Sequence, residues 1–544
     1  MSEESDSDVN FEDSGSEYLL ESSEYTESAS EADDNINAAT EPTEINDEIL
    51  SVTQWVNVAP DNSQNFNPKY EIPTERDCKI LLDFAHDCTE FKVFSTIFPY
   101  SLCIRIAECT NQRLTALNRR AQSKRNLTDP NEILVFLGIS LIMHYNKLPS
   151  LKDYWSKNPS MGNSVIKNCI SRDRFLLLSS KLYFNDCDKP TNASRDYYIS
   201  DVVQCLKQTF AAARSESSFQ SIDECMVKFK GRSSMKQYMP MKPIKRGIKI
   251  WMRCDSKTGY TYDLNLYTGK EANHVQSEPT TLGEKVVLKL VSSIREKDVC
   301  LAFDRFFTSI KLLEIIPYPA LGTYMQNRKN TPKFVGKLAR GESQLQINSG
   351  GILAARWMDS KEVLLASNCH EPSLVDVDRK QKDGSKKKIK CPKSISDYNR
   401  IMGGVDLADQ KTTVYDFNRK SQKWWKKVFY KLLMVSVTNS WIIYTEHKKQ
   451  KLSLKDFLVP LAESMIFEGN KRRETMPRRQ GERTPKRSKT DSLNIGDHLP
   501  VEQEKRCRCV RCTSLGIEKR TKMICSGCNN ALCYKCIGPF HKLN

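Results

Sequence analysis

The chain of 544 residues is too long for one ordinary domain and suggests about two to four, and its 39% hydrophobic content is enough to build real cores. No run of 18 or more apolar residues occurs, and the first residues have neither the basic nor the apolar stretch of a secretory signal, which argues against a membrane span and for a soluble, intracellular protein. Formal net charge is +16 although residues 1–50 contain no Lys or Arg, so the remainder is more basic than the total suggests and points to a polyanionic partner, nucleic acid above all.

Residues 1–75 open as an acidic tail rich in Ser, Glu and Asp, expected to be disordered because so few apolar side chains cannot offset the entropy of ordering the backbone. From residue 76 apolar positions recur at three and four, in 79–94, 132–148 and 172–184, which predicts an all-α domain over 76–218, completed by about 416–468. Near Ile222 the period changes: 226–230, 248–254 and 260–268 read as strands, with turn chemistry at Asp255 to Gly259. A helix (284–294), a buried-type strand (299–303), a helix (309–316) and a strand (320–324) follow. Segment 331–394 is mixed, with strand-like pieces at 350–357 and 362–367 and a lysine-rich run from Arg379 to Lys393 expected to be a loop. A helix begins after Gly403 and Gly404, and a long amphipathic helix spans 423–447. Residues 469–504 are polar, basic and Pro-containing, a linker that reads either as a nuclear-import signal, from which a nuclear location is expected, or as a generic solvated connection.

From residue 219 the order is strand, strand, strand, helix, strand, helix, strand, interruption, helix, which is that of an RNase H-like α/β core built from 219–330 and 395–415 around an insertion at 331–394. Asp223 sits on its first strand, Asp304 ends its fourth, and Asp406 opens the late helix. A strand-end or helix-start Asp is ordinarily a cap or a solvated charge, but three placed together have another use. Phosphodiester chemistry has to stabilise a highly anionic transition state, which two hard divalent cations such as Mg²⁺ achieve, and converging carboxylates supply the oxygen ligands they prefer. Asp409, three residues after Asp406, shares its helix face and is a natural fourth acid. The paired glycines before Asp406 allow close backbone approach.

Lys242, Lys245, Arg246 and Lys249 cluster on the approach to the second strand, suited to neutralising phosphates, and the run from Arg379 to Lys393 adds further positive charge. Lys423, Trp424, Trp425, Lys426 and Lys427 interleave aromatics with cations, a composition suited to stacking on an unpaired base. Trp424 is expected to face DNA and Trp425 the core.

Of 19 cysteines, seven crowd into residues 507–536, and scatter elsewhere plus one dense cluster means reduced thiols and a metal site rather than disulfides. Cys507, Cys509, Cys512, Cys525, Cys528, Cys533, Cys536 and His541 fit two tetrahedral Zn²⁺ ions in a module over 505–544 too small for a core without metal. Cys507 is either the eighth ligand or a bystander. Alternating, cross-braced pairing is expected, though spacing alone does not fix it. A ubiquitin-ligase or histone-tail module has the same outline, but Lys505, Arg506, Arg508, Arg511, Lys519, Arg520 and Lys522 suit nucleic acid better.

Several ordered blocks carry a family resemblance: Ser221 to Arg232, Met241 to Trp251, Cys254-Asp-Ser256, Asp304 to Ser309 and Gly403 to Gln410 are similar to the successive signature segments of piggyBac transposases, over roughly residue 76 to the C-terminus. The resemblance implies that Asp223, Asp304 and Asp406 are the catalytic triad, Asp409 an additional active-site carboxylate, Trp424 the tryptophan that follows the third Asp, and the cysteine-rich module a reader of transposon-end DNA. It also implies cut-and-paste chemistry by a homodimer: nicking, hairpin formation by the freed 3′-hydroxyl, hairpin opening and joining at TTAA. The chain departs from the family at Arg305, where Asn is usual. The alternative is a domesticated, DNA- or chromatin-binding descendant that no longer transposes.

Overall fold

The computed structural model describes residues 54–60, 66–117, 127–158, 160–240, 242–269, 281–380, 385–416, 419–475 and 499–542. The acidic segment 1–53 and most of the basic linker, 476–498, lie outside the described residues. Two units are distinguished, residues 1–473 and 474–544. Among the described residues no helix is long and apolar enough to cross a membrane.

The first unit begins with strand β1 (Trp55–Val58) and continues with helices α1 (Glu90–Ile97), α2 (Tyr100–Leu117), α3 (Pro130–Tyr145), α4 (Ser164–Cys169), α5 (Arg172–Lys181) and α6 (Ser200–Ala213). Periodicity had suggested helix from residue 79. The chain instead turns helical only at Glu90, where Thr89 caps α1 by accepting from the Lys92 N–H, and Ile80 bridges to Arg214 in extended form. Asp129 caps α3 in the same way with Pro130 in the first turn, where a missing N–H costs nothing. Strands β2 (Phe219–Lys228), β3 (Lys236–Tyr238), β4 (Arg246–Asp255) and β5 (Thr261–Leu266) follow, then α7 (Leu282–Val291), β6 (Cys300–Phe303), α8 (Ile310–Ile315), β7 (Ala320–Thr323), β8 (Ser343–Asn348), β9 (Leu353–Met358), β10 (Glu362–Ser367), β11 (Leu374–Lys380) and β12 (Lys386–Pro392). Helices α9 (Lys393–Ile401), α10 (Gly404–Thr413), α11 (Trp424–Lys448) and α12 (Leu454–Thr475) complete it.

Ten strands form one mixed sheet in the order β1-β8-β9-β10-β7-β6-β2-β4-β3, with β5 also pairing β4. Among the described residues only β2, β6 and β7 run parallel, in the register Ile222 opposite Phe303 opposite Gly322. Three expectations change here. Segment 331–394 does not stand apart as an insertion: β10 pairs β7 and carries β9 and β8 outward, so this stretch lengthens the central sheet. The acidic tail is not wholly unstructured to residue 75, because β1 pairs β8 at the sheet edge and Phe66 is buried in the core beneath it. The described part of the lysine-rich run is not a loop: Arg379 and Lys380 end β11 and Lys386–Pro392 form β12, paired in a hairpin, with Lys386, Lys387, Lys388 and Lys390 exposed, Ile389 half-buried and Cys391 buried.

Side-chain alternation gives the sheet two packed faces. Ile222, Trp251, Leu301 and Phe303 meet α7 and α8 on one, whereas Cys225, Val227, Ile250 and Met252 join α1–α6, α10, α11 and α12 in one large core on the other. Buried Arg214 ties this face together, bonding Glu446 of α11 at 2.8 Å and Asp255 at the end of β4 at 3.3 Å. The second unit contains a small hairpin of β13 (Pro500–Arg508) and β14 (Arg520–Cys525), with helices α13 (Val510–Ser514) and α14 (Tyr534–Lys542).

Candidate active site

Asp223 shares a face of β2 with Ser221 and Cys225, and that face meets α10. Ser221 Oγ accepts from the Val405 N–H at 3.0 Å, and the Cys225 thiol donates to Asp409 Oδ1 at 3.1 Å. Asp223 lies between these two anchors, opposite the helical turn that carries Asp406. Close approach depends on Gly404, where an added Cβ would fall 2.7 Å from both the Asp255 carbonyl oxygen and Ser221 Oγ; at Gly403 a Cβ would meet nothing within 4 Å. On the other side, parallel pairing of Ile222 with Phe303 makes Asp223 and Asp304 the next residues of neighbouring strands, about 5 Å apart at the backbone. Asp304 leaves β6 into a tight turn in which its Oδ1 accepts from the Phe306 N–H at 2.9 Å.

Electrostatics agree with this convergence. Burial pushes the Asp223 carboxyl up to about 7, with Lys242 opposing the shift and Glu224 and Asp304 adding to it. Burial, then Glu224, raises Asp304 as well. Tyr398 on α9 senses the whole cluster: burial pushes its phenol up to about 12, a hydrogen bond with Thr323 works against the rise, and Asp304, Asp223 and Asp406 all reinforce it. Asp223 is buried, Asp304 half-buried and Asp406 exposed; carboxylates that act on one another in this way disfavour each other's charge, and their hard oxygens suit a hard divalent cation such as Mg²⁺. Glu224 and Tyr398 were missed in the sequence; adjacency to Asp223 was a signal for the first, whereas nothing in the local pattern marks the second.

Asp409 is brought to the same helix but is engaged by Lys431 at 2.5 Å and by the Cys225 thiol, on the side of α10 facing α11. Arg305 is exposed in the turn after β6, where its carbonyl accepts from Arg328.

The basic residues separate into distinct settings. Lys242 Nζ lies 3.2 Å from Glu224, beside the acids. Lys249 is half-buried with its ammonium 4.5 Å from the Trp251 ring centre, and burial lowers its pKa. Lys245 and exposed Arg246 line a groove with Lys228, Lys230, Lys236 and Tyr238, where the Arg246 guanidinium lies 5.0 Å over the Tyr238 ring. Lys228, Lys230 and Lys236 were not recognised, because β2 and β3 are needed to bring them beside Lys245. Lys423 lies 5.0 Å over Tyr183 and 5.8 Å from the Trp425 ring. Trp424, expected to face DNA, is instead 8% exposed in the large core, while Trp425, expected to pack the core, lies against it half-buried between Tyr183 and Tyr198. The phase of α11 decides it, since Trp424 shares a stripe with Val428, Leu432 and Val435.

In the second unit, Cys509, Cys512, Cys533 and Cys536 form one buried group, and Cys525, Cys528 and His541 another; within each, ligand atoms lie within 4.8 Å of one another. Cys512 Sγ is 3.8 Å from Cys533 Sγ and 3.5 Å from Cys536 Sγ, close to the edge of about 3.8 Å expected of a tetrahedron with Zn–S bonds of about 2.3 Å. The first Cys pair joins the third and the second joins His541, which is the alternating arrangement. Cys507 is not in either group: it is exposed on β13, accepting from Gln503 Nε2 at 3.1 Å, because the strand turns its side chain away.

Three comparisons bear on this geometry. A family model described as "Transposase IS4" matches residues 89–441. Human PiggyBac transposable element-derived protein 3 is 26% identical over 427 residues, 76% of this chain and 70% of its own length, and human PiggyBac transposable element-derived protein 2 is 25% identical over 418 residues, 73% and 69%. A piggyBac transposase, solved by cryo-EM as a synaptic complex with hairpin DNA, superposes with a TM-score of 0.62 at 24% identity, covering 82% of this chain and 97% of that one, a likeness of fold.

Proposed function

This chain belongs to the piggyBac-type transposase family, and from that premise we propose that it is a cut-and-paste DNA transposase whose active site is formed by Asp223, Asp304 and Asp406. What supports the reading is that the parallel pairing of β2 with β6 sets Asp223 beside Asp304, and that α10, which carries Asp406, is anchored to Ser221 on the same face of β2. In this reading the centre of the sheet with α7, α8 and α10 is an RNase H-like core, and the helices before β2 and after α10 hold DNA and the second protomer of a homodimer. Asp223, Asp304 and Asp406 would hold two Mg²⁺ ions, which supply Lewis-acid stabilisation of the anionic phosphoryl transition state. Asp409, fixed by Lys431, sets the position of α10 and hence of Asp406. Lys245, Arg246 and the groove beside them neutralise DNA phosphates, and Lys423 extends this contribution near Tyr183. The reaction is end nicking, hairpin formation, hairpin opening and joining at TTAA, in the nucleus. Two Zn²⁺ ions fold the second unit, and its basic surface reads end DNA.

A domesticated DNA-binding protein without strand chemistry is the second reading, favoured by the names of the human relatives, which describe element-derived proteins. Incubating the chain with DNA bearing its element's ends and Mg²⁺ separates the two. The transposase reading expects nicks and hairpins that Asp304→Ala reduces by about a thousandfold or more while DNA binding persists. Binding without any nick by the unaltered chain would leave the second reading standing.

A further inference from the structure

Lys242 occupies a particular place among the acids. Its ammonium is 3.2 Å from Glu224 Oε1, and the Glu224 side chain is only 6% exposed. Asp223 and Asp406 act on the same ammonium, which these acids and Glu224 hold above the usual lysine range despite burial. Other cations nearby are committed elsewhere. Lys249 stands over Trp251 and Phe306, Lys431 binds Asp409, and Lys411 donates to the Thr258 carbonyl at 2.7 Å. The turn between β3 and β4 that carries Lys242 leaves its side chain one-third exposed, on a flexible four-carbon stem able to swing out.

We propose that Lys242 is the built-in counter-ion of the acid cluster: with Glu224 as its anchor it neutralises Asp223 and Asp406 in the ion-free protein and competes with the divalent cation for the same oxygens. This rests on the metal-dependent reading of the site and goes beyond phosphate contact. A fixed positive charge a few ångströms from a divalent ion disfavours that ion's entry, and at an effective dielectric near 20 the penalty is large enough to change affinity by about tenfold or more. Lys242 thus holds together an otherwise repulsive cluster and weakens metal binding until DNA phosphate offers the ammonium another partner.

The test is calorimetric titration of Mn²⁺ into the zinc-saturated full chain without DNA. Lys242→Gln is expected to bind Mn²⁺ about tenfold more tightly than the unaltered chain, Lys242→Arg about equally, and Asp304→Asn much more weakly. Equal affinity of the unaltered chain and Lys242→Gln, both sensitive to Asp304→Asn, overturns the counter-ion role and leaves the metal site standing. Absence of any Asp304-dependent Mn²⁺ binding in either overturns the metal reading itself, and this proposal with it. Should Lys242→Gln not fold because Glu224 is left buried and unpaired, the same comparison is made between Glu224→Gln and the double variant E224Q/K242Q, where removal of Lys242 is again expected to tighten Mn²⁺.

Discussion

Asp223 carries the electrostatic cost of the site. Its folded pKa of about 7 lies above the ordinary 3.8, so the folded chain holds a proton that the unfolded chain has lost between these values. That stabilising contribution is complete below about pH 3.8 and is lost as pH rises through about 7. Without divalent ions, the melting temperature of the first unit should therefore carry a decline between about pH 4 and pH 7.5 that Asp223→Asn removes, and Mg²⁺ should raise the melting temperature most above pH 7. A profile identical in Asp223→Asn would show that the carboxyl is not held in this state. The two tryptophans differ in the same concrete way. Trp424→Ala empties part of the core and should cost about 3–5 kcal/mol in urea denaturation, whereas Trp425→Ala, at the rim between two tyrosines, should cost clearly less. The elements that carry the acids were legible because Asp304 follows the end of β6 and Asp406 lies in the first turn of α10, while Asp223, in the middle of β2, lies within a recognisable block. The tryptophans were not, because adjacent positions at a helix start differ by 100° in direction and only the packed phase of α11 decides which faces inward.

At the scale of elements, α10 is the piece that must be set most closely. Gly404 rests against the Asp255 carbonyl and Ser221, backbone and a fixed side chain that have little room to yield. Gly404→Ala should displace the start of α10 and with it Asp406, lowering strand cleavage by about tenfold or more while DNA binding is little altered; Gly403→Ala, with open space at its Cβ, should leave cleavage unchanged. Equal behaviour of the two variants in a cleavage and gel-shift comparison would rule out this contact as the constraint. Strand character at 350–357 and 362–367 was readable from alternation, but the partner of those strands was not. Pairing of β10 with β7 joins segments separated by about 40 positions, and nothing local in either records it. The hairpin of β11 and β12 was hidden by its lysines: Lys386, Lys387 and Lys388 are exposed in succession, so β12 lacks the alternation that β11 shows and its charge resembles that of a loop.

The molecule as a whole divides its stability between two physical sources. The first unit has extensive apolar cores, whereas the second has only a small cluster made largely of its own ligand cysteines. Zinc removal by a strong chelator should unfold residues 499–542, seen as rapid proteolysis there, without shifting the main melting transition of the first unit. Retained protection of the second unit after chelation would mean that its fold does not depend on metal. Here the ligand spacing announced the module almost completely, since metal ligands leave a mark in sequence that ordinary packing does not; only Cys507, open in the sequence between eighth ligand and bystander, needed the fold to set it outside both groups.

The outermost strand of the large sheet has an effect that reaches beyond its four residues. β1 covers the backbone of β8, contributing Trp55 to Val58 opposite Leu345 to Asn348. Shortening the chain past residue 60 would bare a row of amide and carbonyl groups able to recruit foreign strands, so such a truncated protein should self-associate even though its acids remain far from the cut.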